Sequence, residues 1–418
     1  MRRSAVVTIA LLLLAGCSGG GSAEGATVEF QVAGDPEEIV VYESLVEEFE
    51  KRNPAITVKL IPVADKDDHL AKLVTSFTRG TPPDVFLVNF REYSQFVVRG
   101  ALEPFGPHLD EAGIDLSDYY EQPVEAFTFD GELQCMPQNI SSLVVYYNET
   151  LFKDAGLEFP PDRWSWAEFR ATAIALTKGD VRGVGIEPSI IRLAPFVWSN
   201  GGELVDDLDT PTRFSLDEPA AREALEFFVR LVREDEVVPT EQEVTAAEDL
   251  ESMFAAGKLS MLLSSRRDTP EFREIPQLRW DVAPLPQAER PAGILHSDAY
   301  CVSKGTDDLE AAVDFVAFAT GEPGQTITAL GGRTVPSLKS VATSGAFLNP
   351  IDPPSRSRVF LDGIPYIRRT PVIPTWPEIE DTAEEVLTKS FYEPGYTVDD
   401  AISELESTTA SLFEEGAQ

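Results

Sequence analysis

Between residues 28 and 88 the chain alternates short apolar stretches with amphipathic ones, and that order admits few folds. Val28–Val32 (VEFQV) alternates apolar and polar side chains as a strand does, and Gly34-Asp35-Pro36 then turns the chain. Ile39–Phe49 places Ile39, Val40, Leu45, Val46 and Phe49 at helical spacing, and Asn53-Pro54 stops it. Ile56–Val63 (ITVKLIPV) reads as a second strand and Leu70–Phe77 as a second helix. Val85–Val88 (VFLV) is a continuous apolar run, as expected of a strand buried on both faces of a parallel sheet. Strand, helix, strand, helix, strand predicts a doubly wound α/β layer. Farther on, Gly131–Pro137, Leu143–Tyr147, Leu259–Leu263 and Ala299–Ser303 are strand-like. Trp166–Leu176, Ala220–Arg233, Ala246–Ala256, Leu309–Thr320, Ile379–Phe391 and Val398–Phe413 are helix-like, with Trp164 and Trp166 packing a helix start.

The N-terminus says where such a body works. Arg2 and Arg3 precede the apolar run Ala5–Ala15, which is shorter than the roughly twenty residues a membrane span needs and suits a secretory signal. Leu14-Ala15-Gly16-Cys17 resembles the bacterial lipobox. That resemblance implies removal of residues 1–16, acylation of Cys17 as a membrane anchor, and a flexible Gly/Ser tether over 17–27. The body would then lie in the cell envelope, at the outer face of the cytoplasmic membrane or in the periplasm. Read as plain secretion, the same segment leaves Cys17 incidental to cleavage.

Charge and residue types exclude several functions. The 71 acidic residues outnumber 34 basic ones, and a net charge of −37 repels nucleic acid and anionic lipid. The three histidines, His69, His108 and His296, are far apart, with no HxxxH or CxxC pair for zinc. Asp65–His69 lacks the glycine and terminal glutamate of a calcium loop, and no P-loop or other cofactor motif is found, so neither a metal nor a cofactor is expected. His296-Ser297-Asp298 has the residue types of a hydrolase triad, yet adjacent side chains of an extended segment point to opposite faces. With no GxSxG elbow either, an enzyme is not expected. Beyond Cys17 only Cys135 and Cys301 remain, which outside the cytoplasm can pair or stay as separate buried thiols.

A set of short motifs in fixed order carries a family resemblance. Thr81-Pro82-Pro83-Asp84-Val85 follows a helix ending at Gly80. Then come Met136-Pro137, Tyr146-Tyr147-Asn148, Leu151-Phe152 and Trp164-Ser165-Trp166-Ala167-Glu168-Phe169. Later stand Asn200-Gly201-Gly202-Glu203-Leu204, Met253-Phe254-Ala255-Ala256-Gly257-Lys258 and Val335-Pro336-Ser337. Together they resemble the extracellular solute-binding proteins of family 1, the maltose-binding-like receptors of ABC sugar importers. The resemblance implies a two-lobed periplasmic-binding-protein fold of type II: two α/β lobes with doubly wound sheets, joined by crossing segments, with ligand in the cleft between. By order, lobe 1 would hold 28–134 and 302–348, and lobe 2 would hold 135–301 and 349–418. Cys135 and Cys301 would then fall on the hinge strands and could be bonded. The implied partners are a small sugar and the subunits of a membrane permease, met by a monomer.

A pyranose offers an apolar face and a rim of hydroxyls, so its site calls for flat aromatic surface and fixed short polar groups. Ligands of open α/β sheets sit at the carboxyl ends of strands, so the loops after strands supply the candidates. Asp35 and Glu37 follow the first strand, Asp65 (with Asp67) the second, Asn89 and Tyr93 the third. Gln138 and Asn139 follow the first hinge strand. Trp198 and Asn200 precede Gly201 and Gly202, where backbone could approach a ligand. Ser264, Ser265 and Arg267 follow another strand, His296, Ser297 and Asp298 precede Ala299–Ser303, and Arg333 follows Gly331-Gly332. Trp376 stands where the resembled family often keeps a stacking aromatic. The acidic loops also permit a polyamine, and a glycerol phosphate or a sensor role without transport remain open readings.

Overall fold

The computed structural model describes residues 25–417. The signal segment, Cys17 and most of the tether lie outside the described residues.

The first sheet is built as the alternation predicts. β1 (Ala26–Ala33), α1 (Pro36–Arg52), β2 (Ile56–Val63), α2 (Lys66–Arg79), β3 (Val85–Asn89) and α3 (Phe90–Val97) follow one another, and β1 lies parallel to and between β2 and β3. The chain therefore winds outward to both sides of β1, which leaves a crevice at the carboxyl ends of these strands. β3 is buried from Val85 to Val88, as its unbroken apolar run requires. Beyond β3 the order continues with the antiparallel strand Asp298–Ser303, which also pairs with Leu102–Glu103 and with Cys135–Pro137.

A second sheet has Val144–Asn148 at its centre, antiparallel to Met261–Ser264 and to Trp280–Ala283. Alternate residues of the central strand feed two cores. Val144 and Tyr146 face the core continuous with the first sheet. Val145 and Tyr147 face a second core, covered by helices Trp166–Leu176, Ile190–Ser199, Pro219–Arg233, Trp376–Tyr392 and Val398–Gly416.

Three segments join the sheets side by side. Asn139 bridges Pro336, and Ser141 bridges His296. The structure thus puts the crossings just beyond Pro137 and just before Asp298. Cys135 and Cys301 lie on the first-sheet side of these crossings, directly opposite each other inside the sheet, as a disulfide with a Cα–Cα separation of 4.5 Å. That spacing is the narrow one of an antiparallel pair, where facing side chains come closest.

Candidate functional site

At the carboxyl edge of the first sheet each of its parallel strands β1–β3 ends at or shortly before a capping residue that starts a helix. Asp35 Oδ1 accepts from the Glu38 backbone N–H at 2.9 Å, Asp65 from Asp68 at 2.9 Å, and Asn89 from Arg91 at 3.3 Å. Because the first residues of each helix lean back over its N-terminus, Glu38, Lys66, His69, Arg91 and Glu92 enter the crevice. Glu187 and Arg192 come from helix Ile190–Ser199 and the loop before it, and Ser265, Arg266 and Arg267 from the end of strand Met261–Ser264 in the second sheet. Asn139, Ser141, His296, Asp298, Arg333 and Thr334 come from the crossings and the segment beside them. These residues enclose a cavity of about 430 Å³, within the range of small-molecule sites.

The cavity's polar groups are held in place by one another. Asp298 accepts from Asn89 and from Asn139, both at 2.9 Å, so the carboxylate ties the third strand to the first crossing. Arg333 reaches the start of α1, with Nη1 2.7 Å from Asp35 and Nε 3.1 Å from Glu38. Arg91 meets Glu380 at 2.9 Å, and Arg192 meets Glu187 at 2.7 Å. Arg266 is buried, donates to the Gly332 carbonyl at 2.9 Å, and lies over the rings of Phe347 and Phe360. Burial with no carboxylate partner lowers its pKa to about 9. It fixes the loop that carries Arg333.

Three buried polar atoms on this lining have no partner in the protein: Arg192 Nε, His296 Nε2 and Thr334 Oγ1. A buried polar atom left unpaired costs about 1–3 kcal/mol, so such atoms mark where something else binds. Burial, reinforced by Arg91 and Arg192, holds His296 neutral.

A second chamber of about 570 Å³ adjoins the first and shares Asp35, Glu38, Glu187, Arg267, Arg333 and Thr334 with it. Desolvation raises Glu38 to about 7 against the opposing pull of Arg333, and nearby Asp298 and Asp35 add to the rise. Desolvation together with Asp268 and Glu187 raises Glu251 to about 7, with Arg267 opposing. A carboxyl whose pKa is raised on folding contributes stability that is present below its unfolded value, near 4.5, and is lost as pH climbs through 7. The chain is therefore expected to lose more stability than its Glu251→Gln variant between pH 5 and pH 8, by a difference on the order of 2 kcal/mol. Urea unfolding of both at the two pH values measures it, and equal slopes would contradict the assignment.

Of the residues proposed from sequence, the structure gathers Asp35, Asn89, Asn139, Ser265, Arg267, His296, Asp298 and Arg333 on the first chamber, and Glu37 on the second. The others it places elsewhere. Trp376 is fully buried in the second core, against Phe214 and Phe413, and presents no face to the cleft. Trp198 is 2% exposed, with Arg368 over its ring. Asn200 binds the Ala220 carbonyl and Glu223, capping a helix end. Gly201 has a positive φ of 82°, and a Cβ on Gly202 would meet the Ala221 nitrogen at 2.9 Å. The bare backbone there admits a helix start rather than a ligand. Tyr93 is buried against Phe127, Gln138 donates to the hydroxyls of Tyr42 and Tyr300, Ser264 donates to Asp268, and Ser297 donates to the Asn139 carbonyl. Asp65 caps α2 and faces solvent beside the lining residues Ala64 and Lys66.

Comparison with known proteins agrees with this architecture. The family model for bacterial extracellular solute-binding proteins matches residues 44–350. A binding protein of Brucella abortus is 24% identical over 413 residues, 96% of either chain. The diacetylchitobiose-binding protein of Streptomyces coelicolor is 24% identical over 337 residues, 76% of this chain and 73% of that one. The solved structure of a Listeria monocytogenes ABC substrate-binding protein with cycloalternan superposes with a TM-score of 0.84 at 24% identity, covering 93% of this chain and 99% of that one. Among the described residues no helix is long and apolar enough to cross a membrane. With crossing segments between two sheets, a polar cavity at their junction and a family match over most of its length, this chain belongs to the bacterial extracellular solute-binding proteins.

Proposed function

We propose that the chain is the receptor of an ABC importer, anchored through Cys17, which captures a small sugar between its lobes (28–134 with 302–348, and 135–301 with 349–418) and delivers it to a membrane permease. The observation that carries this reading is the set of unpaired buried donors and acceptors on a lining drawn from both sheets and their crossings. Carboxylates, amides and guanidiniums already fixed by each other suit hydroxyls, which both donate and accept. The sugar ligands in the names of the Streptomyces and Listeria proteins support the same class. Grip comes from this polar lining rather than from tryptophan stacking, since Trp198 and Trp376 lie in the core. The solute first binds one wall, and closure brings the other wall's groups onto the remaining hydroxyls. A solute favours the closed form only by as much as it binds that form better.

A thermal-shift screen over saccharides and polyols identifies the solute, because a ligand raises the melting point by mass action. Asp298→Ala is then expected to weaken binding of that solute by tenfold or more in a calorimetric titration. Hydrogen bonds to charged groups contribute about 1.5–3 kcal/mol, and Asp298 also orients Asn89 and Asn139. Affinity unchanged in that variant, or no shift with any hydroxylated solute, would refute the proposal.

A further inference from the structure

The two chambers of the cleft differ in charge. In the first, carboxylates and cations are nearly balanced. In the second, eight carboxylate side chains face only two guanidiniums. Both guanidiniums are already matched: Arg267 by Glu251 and Asp268, and Arg333 by Asp35 and Glu38. The excess is shared across the cleft, since Glu37 comes from α1 on one wall, whereas Asp249, Glu251 and Glu271 come from the other. These groups repel one another: Glu271, exposed but partly desolvated, is pushed up by that desolvation and then by Asp268, Asp249 and Glu37. An independent feature marks the same place as a ligand site. Thr334 is 8% exposed, lies on the wall common to both chambers, and its Oγ1 has no partner in the protein.

We propose that this second chamber receives a protonated amino group of the transported solute, whose hydroxyls occupy the first. The inference rests on the solute-receptor reading above and adds the charge of the ligand. A metal ion does not fit, because among the described residues no three carboxylates or histidines converge closely enough to hold one. Carboxylates dispersed around about 570 Å³ match an organic cation instead. Such a cation also supplies a reason to close. Without it, apposing the walls brings Glu37 toward Glu271, and with it the same carboxylates are drawn to one positive charge.

The test uses solute pairs that differ by one group: glucose with glucosamine, and cellobiose with the free-amine chitosan disaccharide, plus spermidine as an amine without a sugar ring. Each is titrated against the full chain by thermal shift and calorimetry near pH 7.5, above the value of about 7 to which Glu38 and Glu251 are raised, at about 50 mM and about 500 mM salt. The expected result is that the amine of a pair binds at least tenfold more tightly than its hydroxyl partner, with the preference shrinking in high salt. Glu251→Gln with Glu271→Gln should abolish the preference. Glu271→Gln alone, at an exposed position, should reduce it without risk to the fold. Hydroxyl partners that bind as well as the amines, or a preference that survives both substitutions, would overturn the ammonium site while leaving the sugar reading intact. Binding of spermidine alone would keep the ammonium site and overturn the sugar reading. No shift with any of the five would overturn both.

Discussion

Trp376→Ala is expected to lower the free energy of unfolding by about 3–5 kcal/mol, the usual cost of emptying a large buried aromatic site. The ring is completely buried, packs on Phe214 and Phe413, and its indole N–H donates to Glu380 at 2.6 Å. Glu380 is the same carboxylate that holds Arg91 on the opposite side of the cleft. Removing the indole therefore leaves a cavity and takes one of two donors from a buried carboxylate. Urea unfolding measures the loss. A variant of unaltered stability that nonetheless loses solute affinity would mean that the tryptophan stacks on the ligand after all.

The second large effect concerns the disulfide. Cys135→Ala together with Cys301→Ala releases a loop of 166 residues. In the chain-entropy account, a crosslink of that length disfavours the unfolded state by about 5 kcal/mol, and native disulfides commonly contribute about 2–5 kcal/mol. Both sulfurs are buried in the first sheet between the strand that leaves it and the strand that returns. The loss should thus appear as a lower urea midpoint for the double variant, and for the parent chain after reduction. Equal midpoints for oxidised chain, reduced chain and double variant would show that the sheet holds these strands without the bond.

The first sheet was legible because each of its elements carries a local signal. Alternation marks β1, an unbroken apolar run marks β3, and Asp35 and Asp65 cap the helices that follow. Helices Trp166–Leu176 and Leu309–Thr320 likewise start and end where their apolar spacing does. Helix Ile190–Ser199 gave no such signal: it is buried almost all round and contains Pro195, so it has no polar face and no uninterrupted pattern. The expected helix Ala246–Ala256 is two pieces, broken at Glu248, whose φ is 81°.

The site was readable only in part. Loop residues after strands pointed to Asp35 and Asn89, and those before Ala299–Ser303 to Asp298, but the first turn of each following helix contributes as much of the lining. Applying the rule one turn further would have found Glu38, Lys66 and Arg91. Arg192 and Thr334 reach the cleft through tertiary packing alone, and no local pattern announces them. The tryptophans misled for the opposite reason. Residue type suggested stacking, while burial, which sequence does not specify at single positions, assigned Trp198 and Trp376 to the core.

The central claim is that one solute is gripped from both sides of the cleft, and hydrogen exchange read by mass spectrometry tests it most directly. With the solute found by the screen at saturation, the amides of 33–38, 64–70 and 87–92 on one wall and of 187–192 and 265–267 on the other should slow together. Protection confined to one wall, or centred anywhere outside the cleft, would contradict the account.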